Sequence, residues 1–141
     1  MNLDFSTGVQ ECTINGKCTV YVNFTDPAFI ESVFNAFDSI DDVTDRYAPQ
    51  IENAKSGEEV FTLARTRDAE IREIINEIFG EDVCSPIFGK MQLSAAADGL
   101  PLWVNMLLAI IDNMDTTLAT EKKQTNPRIK KYLEKYKKYK K

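Results

Sequence analysis

Histidine is absent from the 141 residues of this chain, and this absence excludes several enzyme classes at once. A Ser-His-Asp triad, a Cys-His pair and a His-ligated zinc site all require imidazole. A histidine general base is excluded as well. No nucleotide-binding glycine pattern of the G-x-G-x-x-G or G-x-x-x-x-G-K-[ST] type occurs. Carboxylate chemistry survives as a minor alternative, but only isolated carboxylates are available for it. We therefore expect no enzymatic activity, no metal and no cofactor.

Glycine and proline are scarce, with 11 residues together, whereas apolar residues make up 43% of the chain. This composition is typical of one globular domain with its own core. The longest apolar run, residues 100–111, is interrupted by Pro101 and Asn105 and is shorter than the ~20 residues of a membrane span. The first eight residues lack the basic start and the apolar stretch of a secretory signal. These features predict a soluble, cytoplasmic protein with no membrane contact.

Only three cysteines are present, Cys12, Cys18 and Cys84, and their spacing matches no zinc site. An intracellular chain keeps cysteines reduced, and we expect these three to act as small buried apolar residues. Asn15-Gly16 predicts a hairpin with a two-residue loop, in which Ile14 faces Lys17. Cys12 and Cys18 would then point to opposite faces of the hairpin and would not form a disulfide. Nothing in the sequence activates Cys84 as a nucleophile.

Charge is distributed unevenly along the chain. Residues 1–120 hold 20 acidic and 7 basic side chains, a net charge of −13, whereas residues 121–141 hold 2 acidic and 10 basic ones, a net charge of +8. The basic tail is suited to nucleic acid, an anionic membrane, an acidic protein or the acidic body of the chain itself. In the last case, its tyrosines would pack on that body.

The most acidic stretch of the body contains Asp38, Asp41, Asp42 and Asp45. A calcium loop of the EF-hand type requires alternating oxygen ligands, a central glycine and a distal glutamate. The observed spacing is instead that of neighbours on a helix surface. We expect a solvated acidic helix face rather than a cation site.

The patterning predicts an α+β fold that is mostly helical, with an N-terminal β-hairpin followed by three to four amphipathic helices. The hairpin and a helical part (1–24 and 25–120) form one globular domain (1–120), and the basic tail (121–141) is helical from residue 127. Thr25 or Asp26 with Pro27, and Ser56 with Glu59, are helix start signals, and Gly80 is a stop signal. Pro49 should kink or end the first helix. We predict helices over 27–47, 57–79, 100–120 and 127–138, with a short helix around 91–97.

Two Phe-Gly pairs, Phe79-Gly80 and Phe88-Gly89, bracket a short segment that is too apolar for a solvated loop. We expect this segment to be an ordered connector with both phenylalanines largely buried. The two glycines should adopt backbone conformations that other residues resist.

The long helix predicted after the connector and the helical tail each carry an apolar stripe. Most of the first stripe is expected in the core, and any uncovered remainder would bind a partner or a second copy of the chain. The candidate partner-binding residues from the two stripes are Trp103, Leu107, Ile111, Met114, Tyr132 and Tyr136. Tyr139 lies on the same predicted face of the tail as Tyr132 and Tyr136.

The segment from Glu70 to Leu118 resembles the small tail assembly chaperones of siphophages and related prophages. This chain and these chaperones share a charged helix ending in I-x-x-x-F-G, a short loop with a second F-G, a long apolar helix and a lysine-rich end. Four residues match the pattern, Phe79, Gly80, Phe88 and Gly89. The cysteines and the aspartate-rich stretch are not part of it, and the resemblance transfers no catalytic residue.

The resemblance implies a non-enzymatic protein that coats the tape measure protein, recruits tail tube subunits and is absent from the mature virion. Such chaperones occur in a short form and in a longer form made by ribosomal frameshifting. The partners that the resemblance implies are the tape measure protein and the tail tube protein. Independently of it, the surplus of apolar helix and a hairpin that needs cover predict a homo-oligomer, and the overall acidity of the chain argues against nucleic acid as a partner. The alternative is a small nucleic-acid-binding or regulatory protein that acts through its basic tail.

Overall fold

A computed structural model describes residues 1–114 and 116–139, without the side chains of residues 138 and 139. The predicted α+β, mostly α, class is confirmed. The side chain of Tyr139 lies outside the described part. The strands are β1 (Gln10–Ile14), β2 (Cys18–Val22), β3 (Ala96–Ala97) and β4 (Leu100–Pro101), and the helices are α1 (Pro27–Glu52), α2 (Gly57–Phe79), α3 (Cys84–Phe88), α4 (Leu102–Asp112), α5 (Thr117–Thr125) and α6 (Pro127–Tyr139).

The N-terminal hairpin forms as predicted, but its register differs by one residue. Ile14 pairs with Cys18 rather than facing Lys17, so the loop has three residues. Asn15 and Gly16 both adopt positive φ, at 52° and 69°, and the Lys17 N–H donates to the carbonyl of Ile14. A shift of one residue exchanges the two faces of a strand relative to its partner.

The register places both hairpin cysteines on one face of the hairpin, and the prediction of opposite faces is wrong. Cys12 pairs with Val20, next to the Ile14–Cys18 pair, and this apolar face packs on the helices. Glu11 lies across from Tyr21 on the other face, where it is exposed. All three cysteines of the chain are free.

Helices α1 and α2 begin at the predicted caps. The Asp26 carboxylate accepts from the Ala28 N–H at 2.9 Å, and Ser56 Oγ accepts from the Glu59 N–H at 3.1 Å. Side-chain acceptors at these positions satisfy backbone donors of the first turn. At its other end, α2 stops at Gly80, whose φ of 71° suits glycine.

Pro49 lies inside α1, and the predicted end of this helix at residue 47 is wrong because the helix continues to Glu52. A proline removes one N–H bond, here the bond to the carbonyl of Asp45. Asp45 is exposed, so water can hydrate that carbonyl. Buried Tyr47 and half-buried Ile51 pack on the core on either side of the proline. Their burial offsets the loss of one hydrogen bond.

The predicted helix over 100–120 is also wrong, because the chain is divided there into β4, α4 and α5. Asp98 and Gly99 turn between β3 and β4 with φ of 56° and 79°. Thr116 starts α5 as its N-cap, with its Oγ1 accepting from the Ala119 N–H at 3.0 Å. The short helix expected around 91–97 is absent, and a helix forms earlier, at α3, where a loop was expected.

The core lies between α1, α2, α4 and the hairpin. The side chains buried most completely include one tryptophan and one phenylalanine among many aliphatic residues. They are Trp103, Phe37, Ile40, Ile71, Ile75, Leu93, Leu100, Leu107, Leu108, Ile129, Val33 and Val83. None of the helices in the described ranges combines the length and the apolar character needed to cross a membrane.

An ion pair on α2 holds the segment between α3 and β3 in place. Asp68 accepts from the Leu93 N–H at 2.7 Å and from Arg72 Nε at 2.8 Å. Arg72 in turn donates to the carbonyls of Gly89 and Met91. Asp68 is 8% exposed, so its own two bonds form largely away from water.

We expect Asp68→Ala to lower the free energy of unfolding by about 3 kcal/mol, because it leaves the Leu93 N–H and Arg72 without their buried acceptor. Urea denaturation followed by circular dichroism measures this change. Glu73→Ala, at an exposed position of the same helix, is the matched control and should change stability by less than about 0.5 kcal/mol. Equal losses in the two variants would contradict the role given to Asp68.

Candidate functional site

An apolar groove of about 330 Å³ lies between the hairpin, α3 and α4 and is partly open to solvent. We call it the hairpin groove. One wall is formed by the hairpin and by Phe24, two residues after β2, and the other by α4, with the ends of α2 and α3 between them. The lining residues are Cys12, Thr13, Ile14, Asn15, Val20, Phe24, Phe79, Ile87, Phe88, Leu102, Asn105, Met106, Ala109, Ile110 and Asn113.

Both phenylalanines of the Phe-Gly pairs line this groove. Most of the surface of Phe79 and of Phe88 is buried, as predicted, but neither side chain is fully enclosed. They pack on the core from one side, and the groove exposes the other. The Phe79 ring also lies 6.0 Å from the ring of Phe29. The positive φ expected for both glycines is confirmed, at 71° for Gly80 and 59° for Gly89.

Because Phe88 is only half-buried, we expect Phe88→Ala to lower the free energy of unfolding by about 1–2 kcal/mol, below the ~3–5 kcal/mol of a fully buried phenylalanine. Phe61→Ala is the matched control. Phe61 lies on α2 and is 64% exposed, so its truncation should cost less than about 0.5 kcal/mol. Thermal and urea melts of both variants measure the difference, and an unchanged melt for Phe88→Ala would show that its ring packs on nothing.

The groove offers binding surface rather than reactive groups. Among its described lining residues, Cys12 is the only one with a titratable side chain. The other two cysteines are less acidic than usual, because burial raises the pKa of Cys18 and raises that of Cys84 to about 12. In the described part of the chain, no group of three or more His, Cys, Asp or Glu side chains is arranged to hold a metal ion.

A second surface lies on α1 and the two ends of α4, where α6 covers them. We call it the tail-binding face. Arg128 of α6 lies among three carboxylates of α1, at 2.9 Å from Asp42, 3.6 Å from Asp38 and 3.8 Å from Asp41. Lys131, one turn further along α6, lies 3.5 Å from Asp41. The basic tail therefore meets the acidic body within one chain.

Two tyrosines of α6 extend this contact to α4. Tyr132 donates to Asp41 Oδ1 at 2.9 Å, and its ring meets Trp103 edge-on at 5.9 Å. Tyr136 donates to Asp112 Oδ2 at 2.8 Å. Burial, and then the hydrogen bond to Asp112, raise the pKa of Tyr136 to about 12. Burial and the bond to Asp41 likewise raise the pKa of Tyr132, so both phenols are neutral donors.

The expectation of a solvated acidic face on α1 is wrong at its centre, because Asp41 is only 3% exposed. Its neighbour Asp42 remains exposed although it is paired with Arg128. Of the partners considered for the tail, the body of the chain is the one that the structure shows in contact with it. The signal was present in the sequence, since the tail places Arg128 and Tyr132 on adjacent turns of one helix face.

The candidate partner-binding residues of α4 and the segment after it lie inside the fold. Trp103, Leu107, Ile111 and Met114 are at most 5% exposed, and Tyr132 and Tyr136 face the body. The groove instead uses the opposite side of α4. The groove residues of α4 that the sequence analysis did not select are Leu102, Asn105, Met106, Ala109 and Ile110, and Asn113 follows directly after the helix. Their spacing of three to four residues marks a second helix face, which the dominant apolar stripe obscured.

Comparison with known proteins adds no family to this description. No protein-family model, curated protein or solved structure matches the chain.

Proposed function

We propose that this protein is a non-enzymatic tail assembly chaperone of a phage or prophage. In this proposal it binds the tape measure protein and tail tube subunits in the host cytoplasm during tail morphogenesis and is absent from the mature virion. The observation that carries the proposal is that both phenylalanines of the chaperone-like motif, Phe79 and Phe88, line an apolar groove that is open to solvent. The motif residues thereby contribute to a surface on which another chain can bind.

The groove suits an amphipathic helix of the partner. Its wall on α4 is apolar at Leu102, Met106 and Ile110, and Asn105 and Asn113 add polar groups to the lining. A helix that inserts side chains at i, i+3 and i+4 would bury its own apolar stripe against this wall. Burial of apolar surface depends weakly on salt, in contrast to contacts between exposed charges. A chaperone of this kind would keep an aggregation-prone helix soluble by covering that stripe.

The alternative function is nucleic-acid binding or regulation through the tail. Its specific support is that Lys130, Lys135 and Lys137 on α6 are exposed. Against it, Arg128 pairs with α1 and the tyrosines that would stack on bases donate to Asp41 and Asp112. We therefore expect weak, sequence-independent retention on nucleic acid that falls steeply with salt.

We expect Ala109→Glu to abolish the ability of the protein to keep a helical tape measure fragment soluble, because it places a charge in the groove wall. Ala109 is exposed, so the fold should be unaffected. Ala69→Glu, at an exposed position of α2 outside the groove, is the matched control. Sedimentation of the fragment at moderate salt, with and without each variant, measures the effect.

Full activity of Ala109→Glu in this assay would contradict binding in the groove. Failure of the unaltered protein to hold the fragment in solution, together with tight and sequence-selective binding of DNA or RNA at physiological salt, would favour the alternative function.

We also expect self-association. Leu3 and Phe5, in the segment before β1, are 82% and 79% exposed, and their burial between copies would remove apolar surface from water. A closed dimer is the commonest such assembly. Light scattering should give a mass above the 16.0 kDa of one chain at micromolar concentration. The replacement of both residues by serine should lower this mass, and a constant monomer mass for the unaltered chain would contradict the prediction.

A further inference from the structure

We propose that the tail-binding face is a receptor for a basic amphipathic helix of a partner protein, and that α6 occupies it as a displaceable cover. This site lies on α1 and at both ends of α4 and is separate from the hairpin groove. The inference therefore goes beyond the proposed function and does not depend on it.

The chemistry of the face selects its ligand. Asp38, Asp41 and Asp42 lie at i, i+3 and i+4 on α1 and present three carboxylates on one side of that helix. The cations paired with them in the described residues, Arg128 and Lys131, both belong to α6. Without a cationic ligand these three like charges repel one another. A helix that carries Arg or Lys on one side and apolar or aromatic residues on the other matches the face.

When α6 occupies the face, its described residues leave one hydrogen-bond acceptor of the face without a donor. Asp41 Oδ2 is buried and accepts no hydrogen bond within the described residues. The cations nearest to it, Lys131 Nζ at 3.5 Å and an Arg128 nitrogen at 3.8 Å, stand at or beyond the limit of a hydrogen bond. An unsatisfied buried acceptor lowers the stability of the contact that buries it. A partner helix that donates to this oxygen would therefore bind the face more tightly than α6 does.

The attachment of α6 also favours displacement. Asn126 is the only residue between α5 and α6, and Pro127 begins the new helix there. Proline restricts the preceding residue to extended conformations, so the two helices do not merge. In the described part of α6, the apolar side chains that are fully covered are Ile129 and Leu133, at 0% and 9% exposure. The remaining contacts are the packing of the Tyr132 and Tyr136 rings on the core, together with ion pairs and tyrosine hydrogen bonds, and water can replace the polar ones.

Two charge reversals in the full chain should release the cover. In R128E/K131E the tail repels α1, whereas α1 keeps its carboxylates. Trp103 is the only tryptophan of the chain, is 2% exposed and contacts Tyr132, so its fluorescence reports on the position of α6. We expect a several-fold rise in acrylamide quenching of Trp103, with helix content preserved by circular dichroism. K17E/K90E carries the same change in net charge at exposed positions outside α6 and should leave quenching unchanged.

A synthetic peptide with the sequence of residues 126–141, labelled with fluorescein, then probes the vacated face. We expect it to bind R128E/K131E at low salt and to restore the protection of Trp103. Binding to the unaltered protein and to K17E/K90E should be at least about tenfold weaker, because the peptide must first displace α6. The variant R128E/D38K/D42K keeps the Lys131–Asp41 pair and reverses Arg128 together with Asp38 and Asp42, which should hold α6 in place and exclude the peptide.

The proposal is overturned if the peptide does not bind R128E/K131E, or if it binds all variants equally. Unchanged quenching of Trp103 in a folded R128E/K131E also overturns it, since α6 would then be held by its apolar contacts alone. If the double reversal unfolds the protein, R128Q serves as the milder variant with the same two readouts. Because Ala109→Glu leaves the tail-binding face intact, it should bind the peptide like the unaltered protein. A failed peptide experiment therefore contradicts the receptor proposal alone, whereas a failed sedimentation experiment with Ala109→Glu contradicts binding in the groove alone.

Discussion

The burial of one side of α1 is the interaction on which the other elements depend. Phe29, Val33, Phe37 and Ile40 form a continuous buried stripe along this helix, and Tyr47 extends it. α2 packs along α1, α4 contacts it through Trp103 and Phe37, and α6 docks on the acidic residues beside the stripe. A helix of 26 residues is long enough to order all three of its neighbours. The positions of the hairpin groove and of the tail-binding face follow from this arrangement.

α4 explains why a chain of this size has an open groove as well as a core. This helix carries apolar residues on nearly every side, and Ala109 is its only exposed residue. Leu107 and Leu108 are buried on the core side, whereas Leu102 and Ile110 face the groove, half-buried. An α-helix that is apolar all round requires cover on all sides. The hairpin covers the second side incompletely, and the remaining gap is the groove.

The sequence was most informative where a local rule determines the structure. The Ser56 cap and the Gly80 stop gave the exact bounds of α2, because capping depends on residues within one turn. It was less informative where distant residues compete with a local rule. Pro49 did not end α1, because Tyr47 and Ile51 are held by the core on either side of it. The hairpin register was missed by one residue because Asn15-Gly16 is compatible with loops of two and three residues.

In the candidate sites, too, local features were predictable from the sequence and long-range contacts were not. The Phe-Gly pairs were recognisable as an ordered connector, but their half-burial depends on the hairpin, which is more than 50 residues away in the chain. The acidic run of α1 was recognised as a helix face, and its charge alone predicts exposure. Asp41 is buried because cations and a phenol from the far end of the chain cover it, and this pairing spans 91 residues between Asp41 and Tyr132. No local sequence pattern extends over so many residues. The opposite charges of body and tail nevertheless indicate that these two parts of the chain contact each other.

The two surfaces use different forces, and both of them involve α4. Ile110 faces the groove, whereas Trp103 contacts α6 through Tyr132. Apolar residues form most of the groove lining, whereas the tail-binding face combines ion pairs, whose exposed members weaken as salt screens them, with the buried apolar contacts of Ile129 and Leu133. Salt should therefore weaken the ion pairs of Arg128 with Asp38 and Asp42, while the contacts of Ile129 and Leu133 with the core persist.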